Sequence, residues 1–133
     1  MRAMVVDTHA IVWYLFGDAR LPLRAADALD SATAAGEFIH VPSICLVELT
    51  YLVEKGRLPA IARRRLVQAL DDPGTPCLLA PLDRRIADAL GSVSRSEVPD
   101  LQDRIVAATA AALGAPLISR DAKIRASRIQ TIW

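Results

Sequence analysis

The stretch from Pro99 to Asp121, PDLQDRIVAATAAALGAPLISRD, constrains the fold more than any other part of the chain. Asp100 reads as a helix N-cap and Asp103 as the third helical position, where carboxylates accept orphan N–H groups and favour the helix dipole. Ile105, Val106, Thr109, Ala110 and Leu113 recur at helical spacing, and the alanines between them permit close packing on a sheet. Gly114 stops the helix. Pro116 to Ser119 then reads as a short buried strand that delivers Asp121 at its carboxyl end. In an open α/β sheet that edge is where ligands bind.

The rest of the chain repeats this alternation. Met4 to Val6 predicts a strand ending at Asp7-Thr8, followed by a helix that Gly17 closes, with either Asp7 or Thr8 as its cap and His9 exposed in its first turn. Leu21 to Thr33 predicts a helix with Ala25, Ala26, Leu29 and Ala32 inward. Glu37 to Val41 predicts a second strand. The next helix is expected to start at Pro42-Ser43, with Ser43 as cap, and to stop at Gly56. Ala60 to Leu70 is expected to bury Ile61, Leu66 and Leu70, before the Asp72-Pro73-Gly74 turn. Cys77 to Ala80 reads as a third strand, Asp83 as the cap of a helix over Arg84 to Leu90, Asp121 to Ser127 as a last helical turn or two, and Gln130 to Trp133 as a closing strand. This order predicts a three-layer α/β/α sandwich with a short, mostly parallel central sheet.

A chain of 133 residues is expected to be one domain over residues 1–133, burying roughly two-thirds of its unfolded surface. The longest uncharged run, Ile105 to Ser119, is 15 residues and is broken by Gly114 and Pro116. It falls short of the ~20 apolar residues that a membrane span needs. The apolar stretch Met4 to Val6 that leads into Asp7 is too short for a signal-peptide core, so a soluble, cytoplasmic protein is expected. Cys45 and Cys77 are isolated in apolar surroundings and read as two buried thiols. Net charge is +1 but unevenly placed: −4 up to Glu54 and +5 from Lys55 onward. Fourteen of the sixteen cations are arginine, whose planar fork suits phosphate, although a solvated surface accounts for them equally well.

Glu48 is the strongest single physical clue. On a helix its neighbours three and four residues away are Ile44, Cys45, Tyr51 and Leu52, none of which neutralises a carboxylate. A charge on an apolar face is costly unless it is paired, binds a metal, or reaches water at the face's edge. Asp7 and Asp121 end strands and Asp103 opens a helix, so an α/β fold can bring all four acids to one crevice. Carboxylates so gathered raise one another's pKa unless a cation holds them ionised. Hard oxygen ligands suit Mg²⁺ or Mn²⁺, which activate water and stabilise phosphoryl transition states. A His/Cys cluster, an HExxH stretch, a P-loop and a GxGxxG are all missing from the sequence. His9 stands where an aspartyl-phosphate phosphatase needs its second acid, and Asp7-Thr8 is not the acid pair of a receiver domain.

MVVDTHAIVWYL (Met4 to Leu15), VPSICLVELTYLVEKGRL (Val41 to Leu58), PDLQDRIVAATAAA (Pro99 to Ala112) and LISRDAKIRA (Leu117 to Ala126) together resemble the PIN-domain family, and more closely the VapC-type ribonuclease toxins of bacterial toxin–antitoxin pairs. The family's four acidic positions fall on Asp7, Glu48, Asp103 and Asp121. The resemblance implies an endoribonuclease dependent on Mg²⁺ or Mn²⁺, with those residues holding metal, Thr8 orienting a water or ligand, and Asp100 as a supporting acid. It also implies an RNA substrate and a small cognate antitoxin; a homodimer is expected. A non-catalytic PIN-like module that binds RNA or a partner is the alternative reading, and a metal-dependent DNA nuclease a third. One further expectation comes from the residues themselves. The first helix cannot turn all of Ile11, Val12, Trp13, Tyr14, Leu15 and Phe16 inward. Aromatic surface at Trp13, Tyr14 or Phe16 is therefore expected to stay open for a partner or for self-association.

Overall fold

The computed structural model describes residues 3–133. Along them run β1 (Met4–Val6), α1 (Thr8–Phe16), α2 (Leu23–Ala34), β2 (Ile39–Pro42), α3 (Ser43–Glu54), α4 (Ala60–Asp71), β3 (Cys77–Ala80) and α5 (Arg84–Ala89). A 3₁₀ turn over Leu90–Ser92 leads on to α6 (Leu101–Leu113), β4 (Leu117–Ile118), α7 (Ala122–Ala126) and β5 (Thr131–Ile132). The strands form one sheet in the order β3-β2-β1-β4-β5, and every pairing is parallel. Parallel neighbours need crossover connections, which the helices supply. Val5 pairs with His40 on one side and Leu117 on the other, so β1 is the central strand.

Adjacent residues on a strand point to opposite faces. Val5 and Val6 are both fully buried, as are Leu117 and Ile118, so helices cover the sheet on both sides. This is the expected three-layer sandwich. Ile11, Leu29, Leu49, Leu66 and Ile124 extend the same core from five different helices. Each such side chain contributes about 1.5–3 kcal/mol by leaving water. Edge strand β3 is less covered, with Leu78 and Leu79 exposed.

The order of the strands creates the site. From β1 the chain steps outward to β2 and β3, then returns to the opposite side of β1 for β4 and β5. Connections leaving β1 and β4 therefore diverge, and a crevice opens between the carboxyl ends of these two strands. Helix ends fall where side-chain chemistry puts them. Asp7, Asp83, Asp100 and Asp121 each cap a helix by accepting a backbone N–H three residues on. Gly114 ends α6 at φ 61°, a conformation that a side chain would strain.

Three expectations are corrected. Ser43 does not cap α3; Pro42 holds the cap position, and the Ser43 hydroxyl accepts the Leu82 N–H at 3.0 Å. β2 starts at Ile39 rather than Glu37 and runs through Pro42. On α4 the buried residues are Ala62, Leu66 and Ala69, a true helical repeat, which leaves Ile61 exposed. As expected, α1 leaves an aromatic open: it is Phe16, while Trp13 is only 3% exposed, with His9, Trp133 and the Arg20 and Arg120 guanidinium groups around its ring. Cys45 and Cys77 are free and buried. Among the described residues no helix is long and apolar enough to cross a membrane.

Candidate active site

The crevice at the β1–β4 switch point is a cleft of about 180 Å³ lined by Asp7, Glu48, Asp103 and Asp121, together with Thr8, His9, Gln102 and Arg120. Four separate elements supply the acids. Asp7 follows β1 and caps α1, its Oδ1 accepting the Ala10 N–H at 2.9 Å. Asp121 follows β4 and caps α7, accepting from Ile124 at 2.9 Å. Glu48 comes from the middle of α3, and Asp103 from the first turn of α6. Asp100 accepts the Asp103 N–H at 2.9 Å, which positions that turn without lining the cleft. A larger hollow of about 420 Å³ between Gly91–Glu97 and Ser127–Ile129 holds none of the four acids. The hydroxyls of Ser92, Ser94, Ser96 and Ser127 there are satisfied locally.

The charges feel one another. Burial and then the like charges of Asp121, Asp100, Glu48 and Asp7 push the Asp103 carboxyl up to about 6. Asp7 is also raised, mainly by burial and slightly by Glu48, while the Ser119 hydroxyl, the Ala10 N–H and His9 pull it back. Beneath them the Cys45 thiol is pushed far up by burial and by the charges of Asp7, Glu48 and Asp103. It is an inert packing group whose Sγ–H points at the Val6 carbonyl, 3.9 Å away.

Among the described residues no three His, Cys, Asp or Glu side chains are drawn into a closed cation cage. The donor set nevertheless fits a hard divalent cation, being four carboxylates with no sulfur ligand exposed to the cleft. Thr8 adds an independent sign. It is 2% exposed, and its Oγ1 has only the weakly hydrogen-bonding Cys45 thiol beside it. Buried hydroxyls are rarely left so. An oxygen ligand or an ordered water in the cleft would satisfy it.

All four acids named from the sequence meet in this cleft, and Thr8 lies with them. Sequence reasoning missed four others. His9, expected to be exposed, is half-buried and lines the wall, and Gln102 stands one residue before Asp103. Arg120 was visible only as one cation among many. Ser119 is fully buried, and its Oγ accepts the Asp121 N–H at 3.1 Å. Its signal was a lone hydroxyl at the end of an apolar strand.

Fold and cleft together define an α/β protein with an acidic site at its switch point, and comparison with known proteins gives that class a name. The chain belongs to the PIN domain family, which matches residues 4–129. It is 28% identical over 137 residues to Ribonuclease VapC22 of Mycobacterium tuberculosis, with both chains covered completely. Three solved structures share the fold. VapBC2 from Rickettsia felis, bound to a DNA fragment from its promoter, matches at TM-score 0.70 and 20% identity, over 98% of this chain and 97% of that one. A toxin–antitoxin complex from Klebsiella pneumoniae matches at 0.64 and 21%, over 92% and 91%. FitAcB from Neisseria gonorrhoeae matches at 0.62 and 20%, over 96% and 95%.

Proposed function

We propose that this chain is a metal-dependent endoribonuclease, the toxin of a toxin–antitoxin pair, with Asp7, Glu48, Asp103 and Asp121 as its catalytic and metal-holding residues and Mg²⁺ or Mn²⁺ as its ion. The observation that carries the reading is the convergence of these four acids, from four elements far apart in sequence, on the cleft at the switch point. A full-length relative named as a ribonuclease supports RNA as the substrate, and structural neighbours that are toxin–antitoxin complexes support an antitoxin as the partner. A homodimer belongs to the same reading.

Bound in the cleft, a divalent ion supplies Lewis-acid stabilisation of phosphoryl charge and lowers the pKa of water. The chain's own residues do the rest. Asp7 and Asp121 are held by capping bonds on either side of the crevice, so their carboxylates present fixed oxygens. Glu48 and Asp103 approach from α3 and α6, and the ionised form of Asp103, disfavoured by burial and by its acidic neighbours, gains from a positive charge beside it. The Thr8 hydroxyl, with only the Cys45 thiol beside it, would orient a water by hydrogen bonding. Arginines of the basic second half neutralise the RNA backbone.

The test is cleavage of RNA and of DNA by the purified chain with Mg²⁺ or Mn²⁺, with and without EDTA. Cleavage of RNA alone, abolished by EDTA, supports the reading. Binding of RNA without cleavage under any metal would favour a non-catalytic module, and cleavage of DNA alone a DNA nuclease.

A further inference from the structure

Two guanidinium groups rest on one buried indole, and the chain treats them differently. Arg20 lies 5.0 Å and Arg120 4.9 Å from the centroid of the Trp13 ring. Arg20 is spoken for: its Nε and Nη2 donate to the Asp18 carboxylate at 3.1 and 2.7 Å. Arg120 lines the acid cleft and adjoins Asp121, yet among the described residues it forms no ion pair with any carboxylate. Four acids share the cleft with this arginine, and none of them is paired to it.

The platform explains why. Trp13 is 3% exposed and wedged by His9, at a ring separation of 5.6 Å, and by Trp133 at 6.0 Å. It sits on α1, the helix that Asp7 caps, so the indole is fixed relative to the first acid. A guanidinium held through its flat face by cation–π attraction keeps its N–H edge free. That edge is built for the two oxygens of a phosphate. Any RNA entering this cleft brings a polyanion towards four carboxylates, and a cation that has not been neutralised by them is what the approach requires.

Resting on the nuclease reading above, we propose that Arg120, held over the Trp13 ring, is the positioning residue that clamps a backbone phosphate of the RNA strand in the cleft. The contact is to phosphate, so it sets register rather than base preference.

The test compares wild type, Arg120→Ala and Arg120→Lys, using a fluorescein-labelled single-stranded RNA of mixed sequence. Cleavage kinetics are measured with Mn²⁺, and binding is followed by anisotropy across a salt series in an Asp103→Asn background. Arg120→Ala should raise KM and weaken binding by about 10- to 100-fold, with kcat little changed. Its slope of log affinity against log salt should be shallower by ~0.7, the loss of one phosphate contact on a single strand. Arg120→Lys should keep the salt slope and recover part of the affinity, since a point charge lacks the fork. An unchanged KM, or weaker binding with an unchanged salt slope, overturns the clamp. If wild type cleaves and Arg120→Ala matches it, only the clamp fails; if wild type neither cleaves nor binds RNA, the nuclease reading falls as well.

Discussion

The Asp7 N–H donates to the Ile118 carbonyl at 3.2 Å, so the acid that ends β1 is stitched to the last residue of β4. Ser119 follows at once, its hydroxyl accepting the Asp121 N–H at 3.1 Å and drawing the Asp7 carboxyl back towards ionisation. Two acids more than a hundred residues apart in sequence thus share one short piece of backbone. Their spacing is set by sheet register, Val6 opposite Ile118, rather than by a flexible loop.

Ser119→Ala is the probe of this arrangement. It leaves a partly buried N–H without its acceptor and removes a hydrogen bond from Asp7. Stability should fall by about 1–3 kcal/mol, read from the midpoint of urea denaturation. The apparent affinity for Mn²⁺ should fall with it.

Asp103→Asn should abolish cleavage while making the metal-free protein more stable above pH 6. The sign follows from the raised carboxyl, about 6 when folded against 3.8 for the free group. Below 3.8 both states hold the proton. Between 3.8 and about 6 the unfolded chain releases it and the folded chain does not, so wild type loses stability as pH rises through this window. Asparagine has no proton to lose. Denaturation of both proteins in EDTA across that range should give curves that separate as pH rises; parallel curves would mean that burial and the neighbouring acids do not raise this carboxyl.

Metal should act on folding by linkage. An ion that binds only the folded state at ~100 times its Kd adds about 2.7 kcal/mol. Thermal melts of wild type should shift upward with Mg²⁺ or Mn²⁺, while those of Asp121→Ala shift far less. Equal shifts would count against Asp121 as a ligand.

Much of this was legible in the residues, and what was not has physical causes. Asp100 and Gly114 bound α6 by local hydrogen bonding and backbone freedom, which travel with the sequence. Glu48 was conspicuous because nothing on its own helix could neutralise it. That α1 would leave an aromatic open was legible, but not which one: Trp13 is closed in by His9, by Trp133 from the far end of the chain and by two arginines, which leaves Phe16. Ile61 lost the inner position on α4 to Ala62, since the repeat through Leu66 and Ala69 admits only that register. Ser119 and Arg120 take their meaning from neighbours that only the folded chain supplies, Asp7 for one and Trp13 for the other.

A surface for the proposed antitoxin follows from the aromatic that α1 leaves open. Phe16 keeps 39% of its surface open at the end of α1, with the Arg65 guanidinium 4.9 Å from its ring centre. Apolar surface of this kind suits an amphipathic segment. Calorimetry with the neighbouring gene's product should show Phe16→Ala binding at least several-fold more weakly than wild type, since aromatic anchors dominate such interfaces. Undiminished binding would move the interface elsewhere.

The central claim is that four carboxylates on one cleft make a cation-dependent ribonuclease, and single amide variants test it most directly. Asp7→Asn, Glu48→Gln, Asp103→Asn and Asp121→Asn keep size and hydrogen-bonding reach while removing one charge each. With RNA and Mn²⁺, each should lose cleavage by at least two orders of magnitude, remain folded by circular dichroism, and bind Mn²⁺ more weakly by calorimetry. Wild-type cleavage in any of the four, or cleavage by wild type that survives EDTA, would contradict the account.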